Sequence, residues 1–319
     1  MQTSEPCPTA IPDLVFVNPA AGGGHAADSL PSLRSLAVRT SWQVEFRMTS
    51  NASDLASQAS TAAATGHTRL FVLGGDGSFQ NLVNATTKFS DVVLGILPAG
   101  GGNDLADALG LPHDPLRAAE LLRDGNVCLM DAVRVETADG CVRLYTGGGG
   151  VGLDAEASYI AATRFRNLTG RFRYLLSAAV ALLRSGPISV RINWSLKENP
   201  APPPLACAAL LVAVLNTPSY GAGLRFAPAA KTNDGLLDLV LVEAPSASEI
   251  LHALPRLIFR GELRSPRVKR FPVHQVKIET DFPCRFHGDG EILGYTPVRI
   301  EVLPGAIRIL CPANWPFGC

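Results

Sequence analysis

Apolar residues in the first third of the chain come in short runs that end in glycine. Residues 14–17, 70–73 and 92–97 are such runs, and each leads into a glycine-rich turn. Between them lie polar, alanine- and serine-rich stretches. Residues 52–64, rich in Ala with Leu55 and few breakers, predict a crossover helix. Short strands alternating with helix-like segments predict βαβ units around a parallel sheet, a fold that places ligands at the glycine-rich strand ends.

Beyond about residue 131 the texture changes. Short runs of Val, Ile and Leu at 132–136, 188–194, 208–215, 236–242, 276–279 and 298–303 are separated by Gly, Pro and Asn turns, predicting an antiparallel sandwich or barrel. Two segments, about 159–184 and 246–259, read as helical, and the proline run at 200–204 as a surface loop. No internal repeat is visible. The expected organisation is an α/β first domain over residues 1–131 and a β-rich sandwich over 132–304. The chain end, about 305–319, is a candidate to return to the first domain.

Composition narrows the class. A chain of 319 residues that is 47% apolar and 18% charged has the material for two cores. Seven scattered cysteines without a Cys-x-x-Cys pair suggest neither a disulfide framework nor a zinc site, and favour a reducing, cytoplasmic setting. The first residues lack the pattern of a secretory signal, and the longest apolar runs are shorter than the roughly 20 residues that span a bilayer. Formal neutrality hides a split. Residues 1–140 carry eight Lys and Arg against fifteen Asp and Glu, and residues 141–319 carry twenty against thirteen. A basic second half prompts a search for an anionic ligand or surface, whereas overall neutrality argues against nucleic acid.

Three turns offer convergent backbone N–H donors for phosphate. They are Asn18-Pro19-Ala20-Ala21-Gly22-Gly23-Gly24, Gly74-Gly75-Asp76-Gly77-Ser78 and Pro98-Ala99-Gly100-Gly101-Gly102-Asn103-Asp104. Any one alone also reads as a tight turn; three at successive strand ends weaken that reading. Neither the dinucleotide fingerprint Gly-x-Gly-x-x-Gly after the first strand nor a Gly-Lys-Ser/Thr loop is present. Asp289-Gly290-Glu291 alone is an acidic turn, and Lys231-Thr232-Asn233-Asp234-Gly235-Leu236 alone an Asn-Asp-Gly turn.

Taken together in order and spacing, these segments, with Asn84, Gly152-x-Asp154-Ala155, Asn216 to Gly221 and Leu303-Pro304-Gly305-Ala306, resemble the diacylglycerol kinase, sphingosine kinase and NAD kinase superfamily. The likeness is greatest to its bacterial diacylglycerol-kinase-like lipid kinases and covers nearly the whole chain. It implies a Rossmann-like α/β domain followed by a β-sandwich, with ATP in the cleft between them. Asn18, Gly74, Gly75, Gly77, Ser78, Gly100, Gly101 and Asn103 would lie near the nucleotide. Asp289 would be the general base on a lipid hydroxyl, with Asp76 and Glu291 beside it. Asp76, Asp104, Asp131 and Glu291 would order the catalytic Mg2+, partly through water, and Lys231, Asp234 and Leu236 a structural Mg2+.

The implied reaction is ATP-dependent phosphorylation of a lipid hydroxyl, diacylglycerol to phosphatidate in the first instance. A sphingoid base, phosphatidylglycerol or NAD as acceptor, or a nucleotide-binding regulatory module without turnover, are the alternatives. Asn81, Gly101 and Asp107 stand where the family has Glu, Thr and Arg, which bears on nucleotide affinity or preference. Asp289→Asn is expected to fold normally and lose activity. In segment 159–184, Phe165, Leu168, Phe172, Leu175 and Ala179 recur at helical spacing beside Arg164, Arg166, Arg171 and Arg173; Arg256, Arg260, Arg264, Arg267, Lys269 and Arg270 form a second basic stretch. Each reads either as a core-facing helix with a solvated basic face or as transient, peripheral membrane contact. The six histidines show no metal-ligand spacing, and a homodimer stays open.

Overall fold

The computed structural model describes residues 11–319 apart from 166–167, 169, 197–201, 222, 245–248, 250–264, 316 and 319, and apart from the side chains of 170 and 171. Strands β1 (Asp13–Val17), β2 (Val44–Met48), β3 (Arg69–Gly74) and β4 (Val93–Pro98) form a parallel sheet in the order β2-β1-β3-β4. β3 and β4 are buried almost along their whole length, as strands covered on both faces are. The helices are α1 (His25–Thr40), α2 (Ala52–Ala64), α3 (Asp76–Thr86), α4 (Asp104–Ala108) and α5 (Pro115–Arg123). α2 starts where the Asn51 side chain accepts the Asp54 amide at 2.9 Å, and buries Leu55, Ala59 and Ala62 along one stripe.

The second half is an antiparallel, sandwich-like β domain. It comprises β5 (Asn126–Glu136), β6 (Val142–Tyr145), β7 (Gly148–Gly152), β8 (Ile188–Ser195), β9 (Leu205–Leu215), β10 (Leu237–Glu243), β11 (Val268–Val273), β12 (Gln275–Thr280), β13 (Arg285–Gly288), β14 (Glu291–Tyr295) and β15 (Val298–Cys311). The ladder runs β14-β13-β7-β9-β8-β12-β15, with β10 and β11 branching from β9, and β5 and β6 from β15. Helices α6 (Leu153–Thr163) and α7 (Gly170–Arg184) pack on each other beside it.

β5 and β15 join the halves. Leu303, at the end of one register, pairs with Ala132, and after a bulge Ile307 pairs with Met130. Before the bulge β15 also pairs with β12; beyond it, Arg308 and Ile309 lie parallel to β4. Cys128, Met130, Ile307, Ile309 and Trp315 therefore enter the core of the parallel sheet, whereas Val133, Val135, Ile300 and Val302 enter that of the sandwich. The division expected at residue 131 lies inside β5.

Several elements differ from expectation. The single helix expected over 159–184 is two, because the chain leaves α6 after Thr163 and restarts at Gly170. The glycine run Gly148–Gly152 is a strand between β13 and β9. A side chain at Gly150 would bring its Cβ within 2.3 Å of Asp154 Oδ2 and 2.6 Å of the Val212 carbonyl, so close packing excludes anything larger. Cys141, Cys207, Cys284 and Cys311 are free thiols, whereas Cys128 is disulfide-bonded, a pairing that the scattered cysteines did not suggest. The helix expected over 246–259 lies, but for Glu249, outside the described residues, as do Arg166, Arg256, Arg260 and Arg264.

Candidate active site

The three glycine turns follow β1, β3 and β4 and meet along one edge of the parallel sheet. Asn18, just after β1, donates from Nδ2 to Ser78 Oγ at 3.0 Å, tying the first turn to the second. Gly74 accepts the Ala99 amide at 2.8 Å, tying the second to the third. There the backbones nearly touch: a Cβ at Gly100 would lie 2.5 Å from Gly75 Cα. Asn103, buried and at positive φ, braces that turn, accepting the Gly100 amide at 2.9 Å and donating to the Gly100 carbonyl at 3.1 Å. Gly101 is half-buried in the same turn. Gly77, in the first turn of α3, faces the Glu291 carboxylate. Such turns leave backbone N–H groups without strand partners, which suits phosphate.

Carboxylates gather beside this edge. Asp76 accepts the Asp104 and Leu105 amides at 3.1 Å each, and Asp104 accepts the Gly223 amide at 2.8 Å. Burial, with the charges of Asp104 and Asp289, pushes the Asp76 carboxyl up to about 7. Asp289, at positive φ between β13 and β14, lies in a cradle of four donors. Its Oδ2 accepts the Thr146 amide at 2.8 Å and the Thr146 hydroxyl at 3.0 Å; Oδ1 accepts the amides of Gly147 at 2.8 Å and Gly148 at 3.1 Å. Burial raises its pKa against the pull of these donors. Burial also raises that of Glu291, which accepts from Asn81 Nδ2 at 3.3 Å.

Asp131 is not brought to this cluster. Its two oxygens accept the Gly235 and Gly305 amides at 2.7 and 2.8 Å, and its own amide donates to the Thr232 carbonyl at 2.7 Å. It thus lies with the Lys231–Leu236 turn and not with the carboxylates alongside which it was expected to order the catalytic metal. In that turn Lys231 and Asp234 are exposed, and Asp234 Oδ1 accepts the Leu236 amide at 3.1 Å. Among the described residues no three His, Cys, Asp or Glu side chains close on one point. The oxygen donors and crowded negative charge of Asp76, Asp104 and Asp289 still suit a hard divalent cation that completes its shell with water and phosphate oxygens.

Two of the three family departures find local partners. Asn81 holds Glu291 by a hydrogen bond, and Asp107 pairs with His113 Nε2 at 2.7 Å on the surface.

An apolar cavity of about 150 Å³ opens on the carboxylates, with Asp76, Asp104, Asp289 and Gly290 at its polar end and Leu153, Ala178, Leu211, Leu224 and Phe226 along its walls. Tyr174 of α7 reaches into it. Burial, and the Asp76 charge next, raise its phenol pKa. Tyr220 stacks on the buried His287, and its hydroxyl contacts His287 Nε2 and Asp154 Oδ2, so His287 does face the site. The sequence reading overlooked Thr146 and Tyr174. The glycine run after Thr146 was a usable signal, whereas nothing in the local sequence marks Tyr174.

Glycine turns at one edge of a parallel sheet, facing buried carboxylates and completed by a β-sandwich, fit a kinase of two domains. Residues 12–135 match the diacylglycerol kinase catalytic domain, and residues 149–311 match the YegS C-terminal NAD kinase beta sandwich-like domain. The chain belongs to the family of diacylglycerol kinases and YegS lipid kinases, and it is an enzyme of the kinase class. It is 28% identical over 300 residues to a diacylglycerol kinase of Mycobacterium tuberculosis, covering 94% of each chain. To a protein of Salmonella paratyphi A named "Probable lipid kinase YegS" it is 26% identical over 302 residues, covering 92% of this chain and 95% of that one. The fold matches a crystal structure of a diacylglycerol kinase from Bacillus anthracis str. Sterne with a TM-score of 0.70, at 21% identity over 95% of this chain and 98% of the other. No helix among the described residues is long and apolar enough to cross a membrane.

Proposed function

We propose that the chain transfers the terminal phosphoryl group of ATP, with Mg2+, to the free hydroxyl of a diacylglycerol-type lipid, giving a phosphatidate-type product. The observation that carries this reading is the apolar cavity opening directly on Asp76, Asp104 and Asp289. Hydrocarbon seated against Leu153, Leu211, Leu224 and Phe226 would present a hydroxyl to the carboxylates, and apolar burial would supply the binding energy.

In this mechanism Asp289 takes the proton of the lipid hydroxyl. Three of its four donors are backbone amides fixed by the fold, but the Thr146 hydroxyl can rotate away and free one lone pair on Oδ2. Desolvation makes the carboxylate a stronger base than an exposed one, and the amides hold it ionised and aimed. Asn18, Gly74, Gly75, Gly77, Ser78, Gly100, Gly101 and Asn103 bind and orient the nucleotide phosphates. Asp76, Asp104 and Glu291 would hold the catalytic Mg2+, partly through water, and the ion would supply charge neutralisation and alignment of the transferring group. Asp234, with the carbonyls of Lys231 and Leu236, is proposed to hold the structural ion. Burial, with the Asp234 charge adding to it, raises the pKa of Asp131 and pushes Asp238 up to about 6, and carboxylates crowded in this way suit a cation.

Incubation with labelled ATP and a panel of lipids, followed by mass spectrometry of the product, tests the assignment. A magnesium-dependent labelled phosphatidate is expected, and label only in a water-soluble nucleotide would overturn it. Asp289→Asn should cut transfer by roughly 100-fold or more. The variant should also lose stability, because an Asn amide turns an N–H toward donors that now meet an oxygen; this corrects the expectation that it folds undisturbed.

A further inference from the structure

We propose that Tyr174 is a further catalytic residue, its phenol donating a hydrogen bond to the phosphoryl group in transit. The inference rests on the phosphotransfer reading of the site. α7 turns two different faces to its surroundings: Phe172 and Leu183 are 65% and 87% exposed, whereas Ala181 is buried and Tyr174 and Ala178 line the cavity. The Tyr174 hydroxyl ends 3.6 Å from where a Cβ on Gly290 would stand, one residue from Asp289, within the cavity wall that Asp76 and Asp104 share. Tyr174 itself is half-buried, and two other inward-facing phenols find protein partners. Tyr145 donates to the Val214 carbonyl at 3.1 Å and Tyr220 to Asp154 at 3.2 Å, but no described residue takes the Tyr174 hydroxyl. An O–H brought to the polar end of a cavity and left without a protein acceptor is placed for a ligand.

Chemistry narrows that ligand. The side chains nearest on its polar side are carboxylates, which accept when ionised, whereas a phenol donates throughout the working pH range. The group that gains from a donor in this position is the transferring phosphoryl, whose equatorial oxygens carry charge as the bond to the β-phosphate oxygen breaks and the bond to the lipid oxygen forms. The lipid hydroxyl proton passes to Asp289 and Tyr174 keeps its own. A donor to the lipid oxygen would instead draw away the electron pair that attacks phosphorus.

Tyr174→Phe removes the hydroxyl and keeps the ring. With wild type assayed alongside on the same lipid vesicles, the variant should lose about 100-fold in kcat, as loss of a transition-state donor does, with KM for ATP and for the acceptor unchanged. Its melting temperature should not fall, because the hydroxyl has no protein partner to lose. Equal kcat, a rise in KM without a fall in kcat, or a kcat loss matched by destabilisation would each overturn the assignment. Wild type without turnover on any lipid would overturn the phosphotransfer reading and this inference with it; turnover by wild type with an unaffected variant would overturn only the inference.

Discussion

The metal role proposed for Asp76 makes cation binding depend on pH. The Asp76 carboxyl, raised from 3.8 to about 7 by burial and by the charges of Asp104 and Asp289, takes up a proton on folding. Between those values the folded state binds more protons than the unfolded, so its contribution to stability is complete below 3.8 and falls as pH rises toward about 7. A divalent cation can take the proton's place. In EDTA the melting temperature should drop as pH rises through this window, less so in Asp76→Asn, and Mg2+ should restore more stability above the window than below it. A Mg2+ effect equal at both ends would remove Asp76 from the metal. Asp76, Asp104, Asp289 and Glu291 could be picked out of the sequence because each stands in a short motif. The donors to Asp289 could not, since Thr146 lies more than 140 residues away and only strand pairing brings it near.

Elements were legible where period and punctuation agreed. α2 begins and ends at the expected residues because its alanine-rich stripe has a single meaning and Asn51 caps it. Gly148–Gly152 was opaque because glycine there answers to close neighbours and not to strand propensity. The split between α6 and α7 was missed because apolar spacing continues across the break while the backbone does not. α7 presents Phe172 and Leu183 outward, and Arg164 after α6 and Arg184 at the end of α7 are exposed too. We propose that this face meets the membrane, apolar side chains entering the interface and arginines attracted to anionic headgroups. Phe172→Glu with Leu183→Glu should weaken sedimentation with anionic vesicles by at least about tenfold, given the apolar burial forfeited, and high salt should weaken wild-type binding. Binding unchanged by the two substitutions would exclude this face.

At the scale of the molecule, the two halves share one pair of strands, and Asp131 sits where that pair changes partners. It bridges the amides of Gly235 and Gly305, the second inside the β15 bulge, while its carbonyl accepts from Asn216 Nδ2 at 3.1 Å; the same amide group donates to the Thr146 carbonyl at 2.9 Å, next to the Asp289 cradle. The two-domain organisation could be read from the change in strand texture, but this junction could not, because it joins residues 104 and 174 positions apart through backbone groups common to every sequence. Catalytic and architectural roles for Asp131 predict different behaviour. Asp131→Asn keeps one acceptor and turns an N–H toward the other amide, which should lower stability by about 1–3 kcal/mol, measured as a shift in urea midpoint. If the residue is architectural, the Mg2+ concentration giving half-maximal phosphotransfer should stay at the wild-type value in the folded variant. A midpoint left in place with a much higher Mg2+ requirement would return Asp131 to the catalytic metal, and the cluster around Asp76 would then have to extend through the shared strands.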